Sequence, residues 1–172
     1  MALDLHRWAA QADEELRTFL SDFETRQGYP PGANEVRLAA GDPPPGLGQV
    51  PGPVRDFFTV VEEVSWPDVW NGYFLGPASV VAQRFAQGEV VGVTRDDGTL
   101  AAVAIGSDGG GSWFVVEVRA GETGQVLHVV EAALHEGVLT GEVHVVAGDL
   151  EAFLTGLLDN LSAVVAGRRP SF

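Results

Sequence analysis

Residues 90–130 read VVGVTRDDGTLAAVAIGSDGGGSWFVVEVRAGETGQVLHVV, and this stretch decides the fold class. Short valine-rich runs alternate with glycine-containing turns. β-Branched residues suit a half-buried pleated surface, while glycine and aspartate tolerate the left-handed backbone that tight turns need. The spacing predicts strands over 90–94, 100–105, 113–118 and 126–130. Asp96-Asp97-Gly98 supplies one hairpin turn and Glu122-Thr123-Gly124 another. Working outward, a strand is expected at 73–75, a short helix at 79–85 and a further strand at 143–146.

The flanks carry helical periodicity. Leu5, Trp8, Ala9, Ala12, Leu16, Phe19, Leu20 and Phe23 recur at helical spacing over 3–23, and Gly28 with Pro30-Pro31-Gly32 stops continuation. Residues 28–53, rich in proline and glycine, are expected to form a long ordered loop lying over the domain, with a short helix near 36–40. Pro53 suits the first turn of a second helix running to about Val64, which Trp66-Pro67 ends. Asp149 is positioned to cap a last helix whose stripe is Leu150, Phe153, Leu154, Leu157, Leu158, Leu161 and Val165, and Gly167 closes it. The order predicts the α+β class: a mostly antiparallel, mixed sheet flanked by N-terminal and C-terminal helices. One domain is expected across 1–172, with an N-terminal helix to 27, the loop over 28–53 and a core over 53–167.

Twenty-four acids against ten arginines, with no lysine, give a net charge of −14. From Glu89 to Gly167 there are twelve acids and two arginines. Such a surface repels nucleic acid and anionic lipid and favours cationic partners. The absence of cysteine excludes disulfides, thiolate metal sites and a cysteine nucleophile, and fits a reducing compartment. Asp4, Asp13, Glu14 and Glu15 are unlike a signal peptide, and no run approaches the roughly 20 apolar residues that cross a bilayer. A cytoplasmic location without membrane contact is the expectation.

Catalytic chemistry finds little support. Ile105-Gly106-Ser107-Asp108-Gly109-Gly110-Gly111-Ser112 has the glycines of a phosphate loop, but it lacks the following helix and the lysine. It reads as a flexible turn with Asp108 directed outward. His6, His128, His135 and His144 show no metal-ligand spacing and are expected to be solvated or locally hydrogen-bonded. Glu62-Glu63 and Asp96-Asp97 read as solvated faces, because acid–base pairs need carboxyls that converge on one substrate. Trp66 is expected to plug the gap between helix and sheet, while Trp70 fits the core and a contact surface equally. The reading is non-catalytic, with no cofactor and no metal.

Several segments resemble the SMI1/KNR4 family of the SUKH superfamily, over roughly residues 50–166. They are Val50-Pro51-Gly52-Pro53-Val54-Arg55-Asp56-Phe57-Phe58, then Trp66-Pro67-Asp68-Val69-Trp70-Asn71-Gly72-Tyr73-Phe74. Next come the glycine run with Trp113-Phe114-Val115-Val116, and Val145-Val146-Ala147 with Leu150-Glu151-Ala152-Phe153-Leu154. The resemblance implies a helix-flanked α+β domain, and a bacterial immunity protein that neutralises a cognate basic toxin domain, several such toxins being nucleases, by stoichiometric binding. On this reading the partner-binding residues are Asp68, Trp70, Asp96, Asp97, Asp108 and Glu117, the aromatic as anchor and the carboxylates pairing with Arg or Lys. Two alternatives stay open: a scaffold or regulatory module like the eukaryotic members, and a small-ligand domain using a pocket between sheet and helices.

Overall fold

Strand β5 (Gly98–Asp108) organises the sheet of this computed structural model, which describes residues 3–89, 91–96, 98–119 and 122–172. One edge of β5 pairs first with β4 (Val91–Arg95), through 98–102, and then with β3 (Tyr73–Leu75), through 106–108. Its other edge pairs with β6 (Trp113–Arg119) through 102–107. The chain continues as a meander through β7 (Glu122–His135) and β8 (Val138–Ala147). β8 then meets β4 in parallel at Val138↔Gly92 and Leu139↔Val93. That short seam closes β4–β8 into a five-stranded ring. β2 (Val61–Trp66) and β1 (Glu35–Leu38) extend from β3 as an antiparallel arm, completing a mixed eight-stranded sheet.

Side chains alternate across a strand, so one ring wall serves two cores. Val91, Val93, Ala102, Val115, Leu127, Val129 and Leu139 fill the ring. The opposite face offers Val103, Ile105, Phe114, Val116 and Val126 to the helices. α1 (Leu5–Leu20) is capped by Asp4, whose Oδ1 accepts from Arg7 N at 3.1 Å, and it buries Trp8, Ala12, Leu16 and Phe19. α5 (Leu150–Val165) begins at Asp149, whose Oδ1 accepts from Ala152 N at 2.8 Å. The indole N–H of Trp8 donates to Leu154 O at 2.8 Å, joining the two helices, and the Trp8 ring stacks on Trp66. Short α2 (Phe23–Gln27), α3 (Gly52–Val60) and α4 (Ala78–Ala86) complete the cover. Among the described residues no helix is long and apolar enough to cross a membrane.

The α+β class and the flanking helices match the sequence expectation, but three local readings change. The helix expected over 53–64 stops at Val60, and Val61–Trp66 becomes β2. Val61, Val64 and Trp66 are buried in that strand, held between β1 and β3; their β-branched and aromatic character suits a paired strand once both edges are supplied. The helix expected near 36–40 is instead β1, recruited by pairing with β2. Glu122, Thr123 and Gly124, expected as a turn, belong to β7, because Glu122 and Thr123 pair with Arg119 and Val118 of β6; residues 120–121 lie outside the described residues. Arg95 does pair with Gly98 across the expected hairpin turn.

Candidate functional site

The connection between β2 and β3 is six residues long and ties itself down by main-chain bonds. Val69 N donates to Trp66 O at 3.3 Å, and Gly72 N to Val69 O at 2.9 Å. The chain reverses through Trp70, at φ 58°, and Gly72, at φ 90°. A left-handed backbone at a bulky residue costs on the order of 1 kcal/mol, so the surrounding turn must impose it. The conformation carries the Trp70 ring outward, 46% exposed, with the Arg169 guanidinium 5.5 Å from the ring centroid. Beside it lies an open groove of about 390 Å³ lined by Phe19, Phe23, Arg26, Tyr29, Trp70 and Arg168. Tyr29, exposed and edge-on to Phe23, forms the second aromatic wall. Its arginines are set among carboxylates, Arg26 bonded to Asp22 Oδ1 at 2.8 Å and Asp68 lining the same groove.

Asp68 sits in the same turn but is already engaged. Its Oδ2 accepts from Gly32 N at 2.7 Å and from Asn34 Nδ2 at 2.6 Å, while its own N–H donates to Asn34 Oδ1 at 3.2 Å. It fastens the proline-rich loop to the Trp70 turn and so holds the groove's shape.

Behind the turn is a polar node. The glycine run nests on Asn71-Gly72, where a Cβ at Gly109 would overlap Asn71 O. Asp108 was expected to point outward; it turns inward instead, its side chain 10% exposed. Its Oδ1 accepts from Gly110 N and Ser112 N, each at 2.9 Å, and its Oδ2 lies 3.2 Å from Nε2 of His128. The physical reason is local: Gly110 N, Ser112 N and His128 surround the carboxylate, so turning inward satisfies it together with the donors of the tight turn. His128 stacks on Phe114, and burial pushes its pKa down against the upward pull of Asp108. Tyr73, paired across β3–β5 with Asp108, donates its hydroxyl to Phe172 O and accepts from Asn160 Nδ2 at 3.3 Å. Burial raises its pKa to about 12, which keeps it a neutral donor. The node locks β5, β7, α5 and residues 171–172 together.

The remaining expected contacts lie elsewhere. Asp96 is exposed at the far end of β5, about 30 Å along the strand from the Tyr73 pairing by the usual rise per residue. Asp97 lies outside the described residues. Glu117 is a correction: it is 4% exposed, in a β6 bulge opposite Ala102, with Oε1 accepting from Arg119 Nε at 2.7 Å. Its register faces it inward beside Gly124, so it offers nothing to a partner.

Among the described residues no three His, Asp or Glu side chains converge as a metal-binding group. Sequence reasoning passed over Tyr29, Arg168 and Arg169. The available signals were an aromatic set between Gly28 and Pro30, and the chain's one pair of adjacent bases. Comparison with protein-family models, with curated proteins and with solved structures gives no match.

Proposed function

We propose that this chain is a non-catalytic protein-binding domain that grips its partner with the Trp70 groove. The observation that carries the reading is Trp70 itself, a large aromatic presented to solvent by a strained backbone and backed by Arg169. Exposed aromatic and arginine anchors dominate the energetics of protein interfaces, and a pre-set side chain loses little entropy on binding. The polar node behind it supports the same reading: Asp108 and His128 are consumed in fastening the turn.

The finer proposal is an immunity protein that neutralises a cognate, basic toxin domain stoichiometrically in the cytoplasm. It is supported by the SUKH resemblance and by the net charge of −14, which speeds encounter with a cationic partner before Trp70 anchors it. The test starts from tagged chain isolated from its native cells at low and then high salt. A modular protein ending in a small basic domain is expected to remain. Expression of that domain should kill cells, co-expression of this chain should rescue them, and the Trp70→Ala chain should fail to rescue. Equal death with and without the chain overturns the immunity proposal, and a retained housekeeping complex replaces it with the scaffold alternative.

A further inference from the structure

Among the described residues two pairs close the ring at its β4–β8 seam, and this leaves a long free edge. β8 is paired with β7 from Val138 to Ala147. On its other edge it meets β4 at Val138 and Leu139, helped by Gly92 N donating to Gly137 O at 2.8 Å. Among the described residues no strand pairs with that edge from 140 to 147. β4 and β8 diverge there around a groove of about 580 Å³, lined by 94–96 of β4 and its turn, with Arg95 between Thr94 and Asp96, and by Thr140, Gly141, Glu142 and Val143.

Two features mark the edge as unfinished. Val145 pairs with Leu127 and therefore shares its face of the sheet, yet Leu127 is wholly buried and Val145 is 50% exposed. The side from which another strand would cover Val145 is open. Secondly, 140–147 contains no proline, so every residue of the edge keeps a main-chain N–H for a further strand.

We propose that this edge accepts an extended, cationic segment of a partner protein as an added strand. Main-chain bonds to β8 would supply affinity, and alternate side chains would supply choice. On one face such a segment meets Glu142, with His144 3.3 Å from the Glu142 carboxylate, and the exposed acid Asp96 across the groove. On the other face it covers Val143 and Val145. The pattern that fits is therefore basic–apolar alternation. A second copy of this chain is disfavoured as occupant, because edge-to-edge pairing sets like charges opposite one another on molecules of −14.

The inference shares no residue with the Trp70 groove, so its failure leaves that proposal standing. The probe is the capped peptide Lys-Val-Lys-Val-Lys-Val-Lys, titrated into the full chain and followed by amide shifts and amide hydrogen exchange. Saturable binding is expected, with shifts and slowed exchange confined to 140–147 and 94–96. N-methylation of alternate peptide amides removes strand bonds and should weaken binding about tenfold or more, and Glu142→Lys should weaken it severalfold. Equal binding of the methylated peptide, changes centred elsewhere, or slowed exchange of the same amides through self-association without peptide would each overturn it.

Discussion

Trp70 holds a backbone conformation that glycine adopts without penalty and alanine does not. Trp70→Gly and Trp70→Ala both remove the ring and its contact with Arg169, yet they differ in the strain retained. The glycine variant is expected to be more stable than the alanine variant by about 1 kcal/mol, with partner binding lost in both. Denaturant unfolding decides this, and equal midpoints would show that the turn carries no strain. His128 gives a second residue-scale expectation. Its pKa is lowered on folding, first by burial, so the folded chain binds that proton less readily than the unfolded chain. The stability it contributes is whole above the unfolded value of about 6.5 and is lost as pH falls through the folded value. Urea midpoints measured from pH 7.5 to pH 5 should therefore drop less in His128→Gln than in the parent. Parallel slopes would remove His128 as the cause.

At the scale of elements, β5 is where three strands meet, and Gly106 is the residue that permits it. A Cβ there would overlap the carbonyl oxygen of Phe74 across the β3–β5 pairing, next to a bulge against β6. Gly106→Ala is expected to detach the β1–β2–β3 arm, with a loss of several kcal/mol of stability by the scale of core disruptions and rapid amide exchange over 61–66. Protected amides there would refute the requirement. The helices α1, α4 and α5 were legible because capping, spacing and apolar stripes are local signals, as at Asp149 and along Leu150–Val165. β2 was not. Val54, Phe57, Phe58 and Val61 continue a helical spacing into residues whose fate is set by β1 and β3, partners distant in the chain. β1 failed for the same reason, since four residues of Glu35–Leu38 carry too little pattern to outweigh their pairing.

At the scale of the molecule, the ring wall faces two cores, so neither should melt alone. Leu127→Ala, inside the ring, and Leu157→Ala, beneath the helices, are each expected to cost about 2–5 kcal/mol. Both should shift one common transition, with tryptophan fluorescence and far-ultraviolet dichroism superimposing. Separate transitions in the Leu127 variant would show that the ring unfolds independently. The acidic balance, the class of fold, the closing helix and the β4–β5 hairpin could all be read from the chain, because composition and near-neighbour pattern carry them. What tertiary structure alone decided was orientation and convergence. Asp108 turned into its own loop, Glu117 turned under its strand, Arg169 came to Trp70 from across 99 positions, and β8 was left with an open edge. Each depends on which distant strand edges find partners and in which register, and a shift of a single residue would reverse the face of every side chain involved.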